Sequence, residues 1–230
     1  SKYIILAGDD DQAIYGWAGA DVKRFQQEPA KEIILPQSYR VPKLIQHIAD
    51  NILSRIPDER RIKKEWDARD EEGSIYFGTS IEDVPLHEGQ WLVLARYNDK
   101  LIKLKPSLRD RGIYFEYKNR KSYKTRLYDA VQNYTRWTKG SQLSMSECKD
   151  LFEYFGKEFP GKEERMYDLK EFGYSFTQQW FEVFETEPED SLYIRDMLQA
   201  GEKLSKEARV KLSTIHAAKG GEADNVLLIL

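Results

Sequence analysis

The chain has 230 residues and a mass of 27.0 kDa, which is enough to bury a core without disulfides or metal staples. One cysteine and three histidines exclude a disulfide framework and a structural zinc cluster, and they favour a reducing, cytoplasmic setting. The net charge of −3 excludes a positive field over the whole domain, so any nucleic-acid contact is expected to be local. The longest apolar runs, 91–95 and 226–230, are too short for a membrane-spanning helix.

The first elements are predicted from short apolar runs. Residues 3–7 predict a buried strand that opens into a polar loop, and ligands of α/β folds bind at that end of a strand. A second run at 33–35 precedes an amphipathic helix between Leu44 and Leu53. The charged stretch 57–73 indicates an exposed connection or a frayed helix. DNA contact is the alternative for its basic residues, Arg60, Arg61, Lys63 and Lys64.

Strands and helices then alternate along the chain. Strand patterns at 75–77, 91–95 and 113–117 are interleaved with helix patterns at 99–111 and 122–138. This order is typical of a parallel sheet covered by helices.

Between residues 140 and 205 the sequence has helix patterns and no convincing strand pattern. We interpret this segment as a compact helical insert. Ser144 and Glu147 form a capping-box pair, and Cys148 lies on the apolar stripe of the helix that follows, as a core thiol rather than a nucleophile. The sheet pattern resumes at 210–215 and 225–230. Two further helices are expected in the insert, around 175–185 and 191–204.

Residues 156–163 have the glycine and lysine spacing of a phosphate-binding loop. Glu163 stands where such a loop needs a Ser or Thr hydroxyl for Mg²⁺, and Pro160 removes an amide donor. We therefore interpret these residues as a turn between helices.

The run 8–20 places carboxylates, an amide and two aromatics at the end of a predicted strand. The Gln12 amide can sense a phosphate or orient a water, and an exposed Trp17 can stack on a base. The three aspartates 9–11 could instead bind a metal ion, although consecutive side chains are expected to diverge. A glycine-rich turn with Trp17 in the core is the remaining alternative.

The run 8–20 strongly resembles motif III of the UvrD/Rep-type superfamily 1 DNA helicases, Gly-Asp-Asp-Asp-Gln-Ser-Ile-Tyr-x-Trp-Arg-Gly-Ala. In the family's order, residues 37–40 resemble motif IV, 94–98 are similar to the Arg-x-Asn segment, and 210–222 resemble motif V. The resemblance implies a RecA-like (P-loop NTPase-type) α/β fold, a parallel sheet with helices on both faces. The implied domains are 1–36 as the end of the first RecA-like domain, 37–139 and 206–230 as the second, and 140–205 as a reduced accessory insert.

The resemblance also implies roles for individual residues. Gln12 would lie at the γ-phosphate and Arg40 would be the arginine finger, while Tyr39 would stack on adenine and Glu222 would bind the ribose. The residues implied at single-stranded DNA are Tyr15, Trp17, Arg96, Asn98, Thr214 and His216. The alternatives are a polar strand-end role for His216 and a surface role for Arg40. Lys219 matches the lysine of motif V, and its partner is left open.

The implied function is ATP-dependent, 3′-to-5′ movement on single-stranded DNA, with ATP and Mg²⁺ but without a membrane partner. Ala18 stands at the family's arginine, which removes a charged contact on the DNA side. Gly221 and Ala223 stand where leucine and phenylalanine are usual, so looser local packing is expected in motif V. The phosphate-binding loop and the Mg²⁺ ligands are expected before Ser1, and motif VI after Leu230, so we expect the fragment alone to be inactive as an ATPase. Two alternatives are a non-catalytic nucleic-acid or partner-binding module with the same fold, and a helicase fused to a nuclease domain.

Overall fold

The computed structural model describes residues 4–29, 31, 33–58, 61–174 and 177–230. The chain divides into two compact units, Ser1–Val84 and Pro85–Leu230. None of the helices in the described ranges combines the length and the apolar character that a bilayer crossing requires. The domain boundaries drawn from the sequence remain predictions.

The first unit contains short elements. They are the 3-10 helices Asp10–Gln12, Gly16–Ala18 and Ile81–Asp83, the helices α1 (Val22–Gln27) and α2 (Lys43–Leu53), and the strands β1 (Gln37–Pro42) and β2 (Asp67–Arg69). β1 and β2 pair in parallel. The first amides of α2, those of Lys43 and Leu44, donate to the carbonyls of Glu71 and Glu72 at 3.0 and 2.9 Å. The segment after β2 therefore caps α2. The presence of α2 confirms the helix predicted from the amphipathic pattern.

Two predicted strands are wrong in the described residues. Residues 4–7 and 75–77 form no strand, nor does the apolar run 33–35, and Tyr3 lies outside the described residues. Ile5 and Phe77 are 90% and 94% exposed. An apolar run forms a strand only where a neighbouring strand completes its backbone hydrogen bonds, and no described strand pairs with these runs.

The second unit is built on a five-stranded sheet. Its strands are β3 (Trp91–Ala95), β4 (Phe115–Tyr117), β5 (Arg120–Lys121), β8 (Val210–Thr214) and β9 (Asn225–Ile229). The strand order is β5-β4-β8-β3-β9, and the pairs β4–β8, β8–β3 and β3–β9 are parallel. This confirms the α/β class and the parallel core. β5 corrects the prediction, because it runs antiparallel to β4 as the second arm of a hairpin.

Two long helices accompany this sheet. α3 (Asn98–Asp110) and α4 (Thr125–Thr138) confirm both predicted helices, with α4 beginning three residues later than expected. The apolar face of α4 is buried, as its periodicity predicts. Its buried residues are Leu127, Ala130, Val131, Tyr134 and Trp137.

The insert contains α5 (Met145–Tyr154), α6 (Trp180–Val183), α7 (Pro188–Gln199) and a two-residue antiparallel pair, β6 (Leu143–Ser144) with β7 (Met166–Tyr167). The capping box of Ser144 and Glu147 is confirmed. The pair β6–β7 was not predicted. α6 is shorter than predicted, and Ser175 lies outside the described residues. α7 begins earlier, because Pro188 is favoured in the first turn of a helix.

The insert shares one aromatic core with α4. Tyr134 and Trp137 of α4 lie in the same buried cluster as Phe152 and Trp180 of the insert. Cys148 is fully buried in this cluster, and burial raises the pKa of its thiol to about 12, as expected for a core thiol. Residues 156–163 carry no helix or strand, in agreement with a turn.

Candidate functional site

A tight turn holds the amide of Gln12. Asp9 caps the 3-10 helix Asp10–Gln12, because its Oδ1 accepts a hydrogen bond from the Asp11 amide at 3.2 Å. Its second oxygen, Oδ2, accepts a hydrogen bond from Gln12 Nε2 at 2.5 Å. Asp9 therefore fixes the side chain that the sequence places at a phosphate.

Two cations from segment 61–64 face the same turn. Lys64 Nζ lies 2.9 Å from Asp9 Oδ1 and 3.2 Å from Asp11 Oδ2, and it also contacts Asp10 Oδ1. Arg61 Nη2 lies 3.0 Å from Asp11 Oδ2. We call these five residues the aspartate–lysine cluster. It ties residues 8–20, which we call the motif III turn after the motif they resemble, to a segment more than 40 residues further along the chain.

Asp10 is the most deeply buried carboxylate of the cluster, with 4% of its side chain exposed. Its Oδ2 accepts hydrogen bonds from the Ile62 amide at 2.7 Å and from Gln26 Nε2 at 3.0 Å. Burial raises the pKa of Asp10, but hydrogen bonds from Lys64 and Ile62 outweigh burial and leave that pKa below 3.8. Burial likewise raises the pKa of Asp9, but hydrogen bonds from Lys64 and Gln12 outweigh it, so that pKa is also lowered. Both carboxylates are therefore ionised at neutral pH.

The cluster corrects the expectation that the three aspartate side chains diverge. One oxygen from each of Asp9, Asp10 and Asp11 lies within 4.8 Å of the others. Burial lowers the pKa of Lys64, but the hydrogen bonds that it donates to the three aspartates raise that pKa more, so it lies above 10.5. The charged ammonium thus contacts one oxygen of each carboxylate, and a metal ion at these oxygens would have to displace it.

The same contacts correct the interpretation of 57–73 as an exposed connection. The side chains of Arg61 and Lys64 are only 14% and 21% exposed, and they face carboxylates rather than solvent or DNA. Arg60 lies outside the described residues, and Lys63 is exposed. Sequence reasoning missed this partnership, because nothing local in the sequence links residues 9–11 to residues 61–64.

Trp17 lies on the surface of the first unit. It is 79% exposed in the 3-10 helix Gly16–Ala18, which excludes the alternative of a core tryptophan. The ring of Tyr15 lies nearby, with centroids 6.2 Å apart and planes inclined by 57°. The helix ends at Gly19 with φ at 89°, a conformation that glycine adopts without strain. The turn therefore presents an indole face to solvent.

Tyr39 and Arg40 are exposed residues of β1. Tyr39 is 86% exposed. The hydroxyl of Ser38 accepts hydrogen bonds from the amides of Arg40 and Val41 at 3.4 and 3.1 Å, which fixes the backbone beneath both side chains. The first unit therefore places Tyr39 and Arg40 on a strand, and Gln12, Tyr15 and Trp17 on the motif III turns.

In the second unit the structure brings four predicted residues to one edge of the sheet. β3 and β8 are parallel neighbours in register, with Ala95 opposite Thr214, and the Ile215 amide donates to the Ala95 carbonyl at 3.0 Å. Arg96 and Asn98 follow the carboxyl end of β3. The carboxyl edge of a parallel sheet is the usual position for ligands in α/β folds.

The turn after β8 is ordered by Thr214. Its hydroxyl accepts a hydrogen bond from the Ala217 amide at 3.3 Å, and its carbonyl accepts one from the Ala218 amide at 3.0 Å. His216 lies within this turn, partly buried. Glu222 is exposed further along the same loop, between β8 and β9, rather than at the strand end itself.

Sequence reasoning missed Tyr117, which contacts Asn98, and two lysines at the Tyr117 ring. The Tyr117 hydroxyl donates to Asn98 Oδ1 at 2.9 Å. Lys105 Nζ lies 3.9 Å from the centroid of the Tyr117 ring, and Lys118 Nζ lies 5.3 Å from it. The local excess of basic residues in this part of the sequence is the signal that points to them.

Comparison with known proteins finds partial similarity to DNA helicases. The chain is 39% identical over 72 residues to an "ATP-dependent DNA helicase PcrA" of Staphylococcus epidermidis, which is 29% of this chain and 10% of the helicase. It is 35% identical over 81 residues to an "ATP-dependent DNA helicase PcrA" of Staphylococcus aureus, which is 33% of this chain and 11% of the helicase. The match thus spans about a tenth of the length of these curated relatives. No family model and no solved structure matches the chain.

Proposed function

We propose that this chain is part of a UvrD/Rep-type superfamily 1 helicase that uses ATP to move 3′-to-5′ along single-stranded DNA in the cytoplasm. The similarity to helicases named PcrA supports the class, and the parallel α/β sheet of the second unit is compatible with a RecA-like domain. The proposal includes the domain division at 1–36, 37–139 with 206–230, and the insert at 140–205.

One observation carries the DNA-binding part of this proposal, the exposed indole of Trp17 beside Tyr15. Covering this apolar face with a ligand would be favourable, because it removes aromatic surface from water. Stacking on a base covers it without regard to sequence, which suits a protein that moves along any strand. The proposed contacts of the DNA backbone are Arg96, Asn98, Thr214 and His216.

The proposed nucleotide contacts are Gln12, Tyr39, Arg40 and Glu222. Gln12 contacts the γ-phosphate with an amide that Asp9 holds in place. The Arg40 guanidinium stabilises the charge that develops on the transferred phosphoryl group. Tyr39 offers an exposed ring for adenine, and Glu222 offers a carboxylate for the ribose. Because Lys64 already contacts all three aspartates, the ligands of Mg²⁺ are proposed to lie outside these 230 residues.

Replacement of Trp17 tests the stacking role. Trp17→Ala is expected to weaken binding of a fluorescein-labelled dT20 oligonucleotide by roughly 5- to 150-fold, because stacking contributes about 1–3 kcal/mol per base. Fluorescence anisotropy at fixed salt measures the change. Trp17→Phe is expected to retain part of the affinity, since it keeps an aromatic face.

Phe77→Ala is the matched control for this experiment, because Phe77 is a 94% exposed aromatic residue of the same unit without a proposed DNA role. Its affinity is expected to equal that of the unchanged chain. Equal affinities for Trp17→Ala and the unchanged chain would contradict the stacking role.

Measurement of phosphate release from ATP tests whether the 230 residues hydrolyse ATP on their own. The 230 residues alone are expected to show only background ATP hydrolysis, because they contain no functional phosphate-binding loop. A robust rate that Arg40→Ala abolishes would refute this expectation. The complete reading frame distinguishes a motor from a non-catalytic binding module, since only the motor requires a phosphate-binding loop upstream.

A further inference from the structure

Positive charge is concentrated in one segment of an otherwise acidic chain. Residues 96–126 carry eleven Lys and Arg against three Asp and Glu, although the whole chain has a net charge of −3. Among the described residues of the second unit, at least three of these cations form ion pairs. They are Arg109 and Lys124, which share Asp190, and Arg126, which contacts Asp150 and Glu153.

Lys105 and Lys118 are not neutralised in this way. In the described part of the chain, no carboxylate lies within 4.0 Å of either ammonium. Instead both ammonium groups approach the Tyr117 ring, at 3.9 and 5.3 Å from its centroid. Burial and the neighbouring charge of Lys118 lower the pKa of Lys105. Two positive charges thus lie near one aromatic ring. A bound anion would reduce the repulsion between them.

The backbone places Lys118 at the tip of a turn. Lys118 and Asn119 have φ angles of 52° and 59°, and they join β4 to β5 as a two-residue hairpin loop. Glycine adopts this conformation without strain, whereas a lysine does so at a cost. The exposed side chain of Lys118 therefore projects from the two-residue loop of a paired hairpin.

The lysine pair continues the edge where the DNA contacts are proposed. Lys105 follows Asn98 by seven residues on α3, so both side chains lie on the same face of the helix. The Tyr117 hydroxyl contacts Asn98, and its ring contacts both ammonium groups. A strand that passes Arg96 and Asn98 therefore meets the lysine pair next.

We propose that Lys105 and Lys118 bind backbone phosphates of single-stranded DNA and extend the DNA path from the carboxyl edge of the sheet to the β4–β5 hairpin. This inference rests on the proposed function. Ammonium groups act on phosphates as point charges without reading bases, so the contact suits a sequence-independent track. Phosphate neutralisation releases counterions, which makes the contribution measurable as a salt dependence.

The test is the salt dependence of dT20 binding by the 230-residue chain, followed by fluorescence anisotropy between about 50 and 300 mM NaCl. Lys105→Gln/Lys118→Gln is expected to reduce the slope of log K against log[NaCl] by about 1.4, since each single-strand phosphate contact contributes about 0.7. Affinity at 0.1 M NaCl is expected to fall by about 25-fold. Lys105→Arg/Lys118→Arg is expected to restore the slope, because it keeps both charges.

Two further variants separate binding from folding. Lys157→Gln/Lys162→Gln removes the same charge from the insert, where Lys157 lies 5.1 Å from the Tyr174 ring centroid, and is expected to leave the slope unchanged. Lys118→Gly is expected to raise thermal stability, because it relieves the left-handed lysine, and yet to reduce the slope by about 0.7.

The outcomes distinguish this inference from the proposed function. An unchanged slope in Lys105→Gln/Lys118→Gln, while Trp17→Ala still weakens binding, overturns the lysine contacts alone. Equal slope losses in the insert control would also overturn them. If the unchanged chain binds no dT20 at about 50 mM NaCl, the lysine contacts and the DNA-binding part of the proposed function fall together.

Discussion

The two units are stabilised by different interactions. Every fully buried apolar side chain of the described residues lies at or after Leu86. In the first unit, apolar side chains such as Ile5 and Phe77 are exposed, and the motif III turn is held by the aspartate–lysine cluster. An apolar core is insensitive to moderate changes of pH, whereas ion pairs depend on the protonation of each partner. A change of pH is therefore expected to destabilise the first unit before the second.

The largest expected effect is in the aromatic core of the second unit. Phe152 is 1% exposed, and its ring contacts those of Phe155, Phe159 and Tyr174 at centroid distances of 5.1–5.5 Å. Phe152→Ala is expected to lower the free energy of unfolding by about 3–5 kcal/mol, since it removes buried area and leaves a cavity. Urea denaturation followed by tryptophan fluorescence measures the loss. Phe181→Ala, at a partly exposed ring, should cost about 1 kcal/mol or less.

A smaller effect is expected from the aspartate–lysine cluster. Lys64→Met keeps the aliphatic stem but leaves three carboxylates with Arg61 as their only remaining cation in the cluster. We expect the motif III turn to lose about 1–3 kcal/mol of local stability, reduced from the cost at a fully buried site because Lys64 is partly exposed. Hydrogen exchange at the amides of Asp11 and Ile62 measures this loss.

Lys43→Met is the matched control, because Lys43 forms an exposed ion pair with Asp70 in the same unit. Its exchange rates at Asp11 and Ile62 should be those of the unchanged chain. Unaltered protection in Lys64→Met would show that the cluster does not hold the turn.

The smallest expected effect is a pH dependence that differs between the units. The pKa values of Asp9 and Asp10 are lowered in the folded chain, so their contribution is present above pH 3.8 and is lost as the pH falls through the lower folded values. The pKa of Lys64 is raised, so its contribution is present below pH 10.5 and is lost only at higher pH. Protection of the Asp11 amide should therefore be constant between these limits.

Lys64→Met sharpens this pH experiment. It removes hydrogen bonds that lower the pKa of both aspartates, so the acid loss in the first unit should shrink. The acid response of the second unit, where the pKa values of Glu147 and Asp190 are also lowered, should stay the same. An identical change in both units would contradict the separation.

Elements with local signals were predictable from the sequence. β3 has the predicted bounds, and the capping box begins α5 at the predicted residue, because apolar periodicity and capping chemistry act over a few residues. The runs 4–7 and 75–77 carry the same local signal as β3, yet they form no strand, because pairing depends on a neighbour that the run itself does not specify.

The candidate site also contains features that the local sequence predicts and features that depend on distant residues. Exposure of Trp17 and the position of Thr214 at a strand end follow the motifs in the sequence. The contact between Asp10 and Lys64 does not, because it joins residues 54 positions apart. The hairpin that presents Lys118 also depends on pairing between β4 and β5, although the basic composition around it is visible in the sequence.

One carboxylate at the start of α7 links the insert to the helix that carries Asn98. Asp190 accepts contacts from Arg109 of α3 at 2.9 Å and from Lys124 at 2.7 Å, and the nearby Tyr193 hydroxyl donates to the Ile113 carbonyl at 2.6 Å. Rotation of α7 against the sheet would break these polar contacts together. These contacts therefore join α7 of the insert to α3 and to the residues just before β4.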